Sequence, residues 1–436
     1  MHSSAALLAG MCGVAIGACG AAAAGIDKQD FAQIERGRYL TVAGDCIACH
    51  TVPGTGHEFA GGRNIETPFG LLIGPNITPD PQTGIGAWTD DEFVNALTKG
   101  TGRNGERLYP AMPYTYYTKL TRDDPLAIRA YLNTIPPVYN PVEANQLPFP
   151  FDIRMSMLAW DRLFFTPGAF LPDPNKSAEW NRGAYLAEGL THCGMCHTPK
   201  NALGGDDSAN ALHGYALQGW FAPDITNDRR RGIGSWSVEE ITAYLKTGHN
   251  ATSAATGLMA EMVNLSTSHL TDDDLKAIAV YLKDQPATGE VNTQTGIKAD
   301  ETAMKMGAAI YADECSGCHG ADGKGAAGLF PSLNGTPVVQ QADATSLLHV
   351  VLRGARSAAT AGAPTGAAMP QFAWLLTDDQ TAAVLSYSQR LGQFRAAGRS
   401  RRGRQSTAGT RRAKRLNATK EKGGATKCRH AAIQLG

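Results

Sequence analysis

The sequence predicts an all-α protein built from three tandem copies of one small helical unit. A C-x-x-C-H motif occurs three times, beginning at Cys46, Cys193 and Cys315. Similar sequence surrounds each motif, and strand-forming runs are scarce. The chain has 436 residues, of which 43% are apolar, so it can form several domains with ordinary cores and is not a disordered chain.

Each unit is predicted to begin with a helix that leads into the motif, and the first two units share a second helix. The segments RGRYLTVAGD, RGAYLAEGLTH and GAAIYADE precede the three motifs. Residues 75–100 align without a gap with residues 223–248. Within this stretch, Thr89 and Ser237 are expected N-caps, and the glutamate three residues after each predicts a capping box.

Each unit is predicted to close on another helix. The segments KLTRDDPLAIRAYL, HLTDDDLKAIAVYL and LLTDDQTAAVLSYS share a threonine followed ten residues later by a tyrosine. Thr121, Thr271 and Thr377, with the aspartates after them, are expected to cap these helices, whose apolar spacing is helical.

Composition changes along the chain predict its organisation. The expected parts are an export signal (1–25), the first unit (26–145), a Pro- and aromatic-rich linker (146–176), the second unit (177–286), a polar linker (287–300), the third unit (301–394) and a basic tail (395–436). The aromatic linker contains Phe149, Phe151, Trp160, Phe164 and Phe165. We expect it to pack on its own chain rather than on a partner.

The first 25 residues carry no charged side chain and end in alanines that suit a signal-peptidase site after Ala24. This pattern predicts export, although the usual cation near the start is missing. A misplaced start codon, a weak membrane anchor and a lipoprotein cleavage box ending at Cys19 remain alternatives. No other window holds eighteen apolar residues, so the mature body is not expected to span a membrane.

The formal net charge of zero conceals an acidic body and a basic tail. Residues 395–436 hold thirteen Lys or Arg and one acid, which leaves a charge of −12 on residues 1–394. The tail could be a disordered arm attracted to anionic lipid, to an acidic partner or to nucleic acid, or it could be a frameshifted end. No nucleic-acid partner is expected for the protein as a whole.

The three motifs have the pattern of covalent haem attachment. In each, two thiols on one helical turn can bond to one edge of a haem, and the next residue, His50, His197 or His319, can ligate iron. A redox dithiol would need a βαβ setting, and a zinc site would need paired motifs close together. The sequence therefore predicts three haem c groups, anchored by Cys46, Cys49, Cys193, Cys196, Cys315 and Cys318.

A methionine in each unit is the expected sixth iron ligand. Met112 and Met259 each lie 62 residues after the motif histidine, and Met369 shares the A-M-P context of Met112. Met259 is preferred to Met262 because the repeat alignment places it beside Met112. Filled coordination favours electron relay over catalysis, so no catalytic residue is predicted. The other histidines (His57, His192, His213, His249, His269, His349) are expected at the surface or in loops, and a carbonyl near Pro75 or Pro223 is expected to orient the ligating imidazole.

Residues 33–394 resemble the three-haem cytochrome c subunit of membrane-associated bacterial dehydrogenases. The segments RGRYLTVAGDCIACHT, PNITPDPQTGIG, LYPAMPY, HCGMCHTPKN, GWFAPDIT and AAMP carry the resemblance. It implies three tandem class I-like cytochrome c domains and a catalytic dehydrogenase subunit of flavin, quinoprotein or molybdenum type. It also implies a periplasmic location, peripheral association with the cytoplasmic membrane, and electron delivery to ubiquinone or another acceptor. The Arg-rich tail departs from the family pattern.

Two hypotheses follow. The first is a non-catalytic electron-transfer subunit whose partner oxidises an alcohol, sugar, sugar acid or aldehyde. The second is a haem enzyme, such as a peroxidase or a sulfur-compound oxidase, with one open or switchable haem. A candidate methionine for every haem favours the first hypothesis.

Overall fold

The computed structural model describes residues 30–287, 300–334 and 336–402, with side chains described as far as Leu391. The predicted export signal, most of the polar linker and the tail beyond Arg402 lie outside these residues. Within them, no helix is long and apolar enough to cross a membrane.

The described elements follow the repeated order that the sequence predicts. The first unit has α1 (Phe31–Ala43), α2 (Cys46–His50), β1 (Asn64–Thr67), β2 (Gly70–Ile73), α3 (Asp90–Lys99), α4 (Tyr114–Tyr117) and α5 (Asp123–Leu132). The aromatic linker has a 3₁₀ turn (Arg154–Ser156) and α6 (Met157–Phe164). The second unit has α7 (Ala178–Tyr185), a π-helical turn (Leu186–Leu190), α8 (Gly194–His197), a 3₁₀ turn (Ser208–Asn210), β3 (Tyr215–Leu217), β4 (Trp220–Ala222), α9 (Val238–Thr247), α10 (Gly257–Leu265), a 3₁₀ turn (Thr267–His269) and α11 (Asp272–Lys283). The third unit has α12 (Glu301–Ile310), a π-helical turn (Tyr311–Cys315), α13 (Ser316–His319), α14 (Pro337–Gln340), α15 (Thr345–Arg353), β5 (Ala355–Arg356), β6 (Ala368–Met369) and α16 (Asp378–Arg402).

The predicted all-α class is confirmed, with one short antiparallel hairpin in each unit that the sequence pattern did not indicate. These hairpins pair β1 with β2, β3 with β4, and β5 with β6. Their strands are two to four residues long. A period of two cannot be recognised over so few residues.

The first and last helices of each unit cross at a glycine. A Cβ atom added to Gly37 would lie 1.8 Å from the carbonyl oxygen of Ala127 on α5. The same crossing recurs at Gly183 against Ala277 and at Gly307 against Ala383, with distances of 1.9 and 2.2 Å. Only glycine lets the two backbones approach this closely, so the crossing fixes the frame of each unit.

The capping predictions for α3 and α9 are confirmed. The Thr89 side chain accepts the backbone N–H of Glu92 at 3.2 Å, and the Glu92 carboxylate accepts the Thr89 N–H at 2.7 Å. Ser237 and Glu240 make the same reciprocal pair at the start of α9.

The caps of the closing helices differ between units. Thr271 accepts the backbone N–H of Asp274 at 3.2 Å, and Thr377 makes the corresponding bond at the start of α16. The prediction for Thr121 is wrong, because the cap position of α5 is Arg122 and makes no side-chain bond. The backbone carbonyl of Thr121, rather than its hydroxyl, accepts the N–H of Asp124 at 3.1 Å.

The first two units share one hydrophobic core, which runs from Leu40 on α1 to Leu282 on α11. A second cluster, formed by Ala255, Ala260, Val263 and Ala358, joins the second unit to the third. The third unit has a small core of its own around Tyr311. Units one and two are therefore packed as a pair, to which the third unit is attached.

A buried carboxylate joins α11 of the second unit to α1 of the first. Asp274 accepts two hydrogen bonds of 2.7 Å from the guanidinium of Arg182 in its own unit. It also accepts the hydroxyl of Tyr39, from the first unit, at 2.6 Å. Burial alone would raise the pKa of Asp274, but the hydrogen bonds from Arg182 and Tyr39 outweigh it and lower that pKa.

The same arrangement occurs in the opposite direction at Asp124 of the first unit. Arg36 of the same unit donates to Asp124 through Nε at 3.0 Å, and the hydroxyl of Tyr185 donates from the second unit. Each unit thus supplies an arginine to its own aspartate and a tyrosine to its neighbour's. This reciprocity is the pattern of a two-fold symmetric dimer interface.

The aromatic linker packs against both flanking units, as expected. Trp160 of α6 is buried and donates through Nε1 to the carbonyl of Leu203 at 2.8 Å. Asp161 accepts the Tyr114 hydroxyl at 2.7 Å, and Phe165 packs edge-on against the Tyr114 ring.

Candidate haem-binding sites

Each C-x-x-C-H motif ends in a histidine whose Nδ1 atom faces a proline carbonyl. The distance is 2.7 Å from His50 to Pro75. The corresponding pairs are His197 with Pro223 at 2.7 Å and His319 with Pro331 at 3.0 Å. A carbonyl only accepts, so Nδ1 carries the proton and the lone pair lies on Nε2, the atom free to bind a metal. The contacts expected near Pro75 and Pro223 are present. Pro331 escaped sequence reasoning because the loop in the third unit is shorter.

The electrostatic setting keeps these imidazoles neutral. Burial lowers the pKa of His50, His197 and His319. His50 and His197 nevertheless retain accessible surface, although the protein surrounds them. A side chain that is desolvated and still accessible lines a concave site, and a neutral imidazole is the form that ligates iron.

The motif cysteines lie in the same desolvated setting. Burial raises the pKa of Cys46 to about 12 and that of Cys49, Cys196 and Cys315 to about 11. Thiolates, the reactive species in disulfide exchange, are therefore disfavoured. Within the described parts of the chain, no three His, Cys, Asp or Glu side chains are grouped as a metal site. Both observations argue against the dithiol and zinc alternatives.

The three candidate methionines occupy different local structures. Met112 lies in a tight turn before α4, where its carbonyl accepts the N–H of Tyr114 at 2.7 Å. Met259 lies in the first turn of α10, and Met369 lies in β6 opposite Ala355. Met112 and Met259 are half-buried against the core shared by the first two units.

The structure brings that pair of methionines to the same core as two of the motif cysteines. Cys46 and Cys193 also pack against this core, whereas Met262 is not among the described side chains that do so. This placement supports Met259 over Met262, but the assignment of the sixth ligands stays a prediction.

Two tyrosines of α4 lie between the first two motifs, a role that sequence reasoning missed. Tyr117 is buried and donates its hydroxyl to the carbonyl of Gly44 at 3.0 Å, just before the first motif. Tyr116 packs on the second motif, since a Cβ added to Gly194 would lie 3.0 Å from its ring. No repeat signal could have shown this contact, because it joins one unit to the other.

Two histidines differ from their expected surface or loop positions. His192, in front of Cys193, faces the Gly44 carbonyl through Nε2 at 3.3 Å and packs on Tyr117. His249 is buried, with Nε2 3.3 Å from the Ser357 hydroxyl of the third unit. Both therefore lie at contacts between units.

Asp45 occupies the position in the first unit that His192 occupies in the second. Its backbone has a left-handed φ of 50°, and its Oδ1 is buried without a hydrogen-bond partner among the described residues. Burial, together with the charge of Glu261, raises its pKa to about 8 against the opposing charge of Arg63. A buried carboxyl group therefore lies directly beside the first motif.

The donor set of each unit fits a covalently bound haem. Two adjacent thiols can anchor the ring, and an oriented imidazole Nε2 can bind the iron. A half-buried thioether sulfur lies within the same unit. A desolvated site suits the apolar face of the macrocycle.

Comparison with known proteins agrees with this geometry. The cytochrome c family model matches residues 34–136, 181–286 and 304–391, one match in each unit. The chain is 38% identical over 393 residues to the gluconate 2-dehydrogenase cytochrome c subunit of Pantoea cypripedii, which covers 85% of this chain and 88% of that protein. It is 38% identical over 388 residues to the cytochrome c subunit of the quinone alcohol dehydrogenase of Gluconacetobacter polyoxogenes, covering 84% and 82%. It is also 38% identical over 386 residues to the fructose dehydrogenase cytochrome subunit of Gluconobacter japonicus, covering 81% and 78%.

These matches confirm the resemblance drawn from the sequence and the three tandem domains. They favour the electron-transfer interpretation over the haem-enzyme alternative, since the relatives are named as cytochrome subunits of dehydrogenases. The chain belongs to the cytochrome c family.

Proposed function

We propose that this protein carries three haem c groups and passes electrons from a catalytic dehydrogenase subunit to a quinone, without catalysing the dehydrogenation itself. The observation that carries the proposal is the C-x-x-C-H motif that each family-model match contains, with its histidine Nδ1 held by a proline carbonyl. The haem iron would supply the one-electron chemistry, and the chain supplies attachment, ligation and burial.

The chain's own residues divide this work. The six motif cysteines hold the rings by thioether bonds, and His50, His197 and His319 bind the irons through Nε2. Met112, Met259 and Met369 complete the coordination, which raises the reduction potential relative to histidine ligation. The proline carbonyls fix each imidazole and strengthen it as a ligand.

The packed pair of units favours transfer between the first two sites. The two motifs lie on either side of α4, and Tyr116 and Tyr117 occupy the space between them. Because both units share one core, their relative position is fixed by packing rather than by a linker.

The partner and location come from the relatives and the chain terminus. The names of the relatives support a catalytic subunit that oxidises an alcohol, a sugar or a sugar acid. The partner's own cofactor would be a flavin, a quinone or molybdenum. The uncharged first 25 residues support export to the periplasm, where the protein would associate peripherally with the cytoplasmic membrane and deliver electrons to ubiquinone or another acceptor.

The haem count can be tested directly. Mass spectrometry of the full-length protein, expressed with a haem-attachment system, should show three covalent haems, and the double variant Cys193→Ala/Cys196→Ala should show two. Cys428→Ala, which changes a cysteine outside the motifs, is the matched control and should keep three. A wild-type count other than three would overturn the proposal.

The electron-transfer role has a separate test. The reduced wild-type protein should bind no carbon monoxide, because every iron is six-coordinate, whereas fast binding at one haem would favour a haem enzyme. Copurification of a flavin, quinoprotein or molybdenum subunit, followed by haem reduction when its substrate is added, would identify the partner reaction. Absence of any substrate-driven haem reduction in that complex would contradict it.

A further inference from the structure

A cavity of about 440 Å³ lies where the second and third units meet. Its walls come from β4 and α10 of the second unit and from β5 of the third unit. The lining includes Trp220, Ala260, Glu261, Asn264, Ala355 and Arg356. This volume is in the range of small-molecule sites.

The cavity is distinct from the three candidate haem sites. None of the predicted cysteine, histidine or methionine residues lines it. On α10 the lining residues Gly257, Ala260, Glu261 and Asn264 recur every three or four positions and form one helical face. Met259 projects from the opposite face, because each residue advances about 100° around a helix.

Hydrogen-bond donors dominate the lining. Arg356 is exposed and donates through Nη1 to the Gly366 carbonyl at 3.2 Å, and no carboxylate pairs with it in the described part of the chain. Trp220 Nε1 has no acceptor among the described residues, and the Asn264 side chain is exposed. The cavity therefore suits a ligand that presents oxygen acceptors.

The one acid in the lining does not oppose such a ligand. The Glu261 carboxylate is paired with Arg63 of the first unit, with Nη1 and Oε1 2.6 Å apart. Since that pair neutralises Glu261, Arg356 remains as the uncompensated charge of the cavity. Ala260, Leu265 and Ala355 supply apolar surface beside it.

The cavity walls also adjoin two proposed iron ligands. Ala260 follows Met259 directly in the chain, and Ala355 is the cross-strand partner of Met369. Paired residues in an antiparallel ladder lie about 5 Å apart. A molecule in the cavity would thus lie beside the methionine side of both the second and the third site.

We propose that this cavity binds the electron acceptor, a quinone headgroup whose carbonyl oxygens accept hydrogen bonds from Arg356 and from Trp220 or Asn264. The inference rests on the proposed function and gives its acceptor a place. The quinone takes up two electrons, from two ferrous haems that become ferric. It also takes two protons from water, so that both C=O groups become C–OH groups.

The test compares Arg356→Gln with Arg353→Gln in the full-length, haem-loaded protein. Arg353 is an exposed arginine at the end of α15 that does not line the cavity, so its replacement makes the same change of charge. The probe is a ubiquinone analogue with a short isoprenoid tail. Calorimetric titration of the oxidised protein measures binding, and stopped-flow reoxidation of the reduced protein measures transfer, with ferricyanide as an oxidant that needs no cavity.

Loss of a hydrogen bond from a charged donor should weaken binding about tenfold or more. We expect this loss for Arg356→Gln, with slower reoxidation by the quinone and an unchanged rate with ferricyanide, and wild-type behaviour for Arg353→Gln. Equal affinity and equal quinone rates in all three proteins would overturn the site while leaving the proposed function intact. A wild-type protein that ferricyanide reoxidises and the quinone neither binds nor reoxidises would overturn the site together with the quinone acceptor.

Discussion

The hydroxyl of Tyr39 measures how strongly the first two units are held together. Tyr39→Phe removes one oxygen atom, and with it the 2.6 Å hydrogen bond to Asp274, whose side chain is 12% exposed. Hydrogen bonds to charged groups contribute about 1.5–3 kcal/mol, and the surviving contacts from Arg182 keep the aspartate paired. We therefore expect the free energy of unfolding to fall by about 1.5–3 kcal/mol. Urea titration of the haem-loaded protein at pH 7, followed by far-ultraviolet circular dichroism, measures this loss.

Tyr131→Phe is the matched control for this experiment. Tyr131 lies on the closing helix of the first unit, and its hydroxyl makes no hydrogen bond within the described residues. Surface changes of this kind stay within about 0.5 kcal/mol. If Tyr39→Phe lost no more stability than Tyr131→Phe, the Tyr39–Asp274 contact would not join the units, and the reciprocal interface would be structural coincidence.

Three further predictions use other parts of the structure. Thr271→Ala should cost about 1 kcal/mol because Thr271 caps α11, whereas Thr121→Ala, at the equivalent uncapped position, should cost much less in the same urea titration. Met259→Ala should open one iron of three, lower its reduction potential and let it bind carbon monoxide, and Met262→Ala should leave the spectrum unchanged; the reverse outcome would move the ligand. Stability should fall as the pH drops below about 4, because the carboxylate of Asp274 contributes above its unfolded pKa and that contribution is lost as the pH passes through its lowered folded pKa. Asp274→Asn should therefore lose less stability on acidification than wild type, and an equal loss would exclude this group.

Local and repeated features were predictable from the sequence. The capping boxes at Thr89 and Ser237 use residues three positions apart, and the helices around each motif carry their own apolar spacing. The C-x-x-C-H pattern likewise holds its chemistry within five residues. Such signals can be recognised without knowledge of the fold.

Contacts between units could not be predicted in the same way. Tyr39 and Asp274 are separated by 235 residues, and neither belongs to a motif. Tyr116 meets Gly194 only because α4 of one unit lies against the motif of the next. The hairpins were missed for a different reason, since strands of two to four residues show no periodicity.

The pairing of the first two units has a consequence for directionality. In a homodimer with this interface, symmetry would make both sites identical, and neither would attract an electron more than the other. Here the two copies belong to one polypeptide, so each can change alone. The residue in front of the first cysteine is an acid, Asp45, in one copy and an imidazole, His192, in the other, and both have left-handed backbones at φ of 50° and 37°. Fusion of the copies thus permits a downhill step within a frame that is otherwise symmetric.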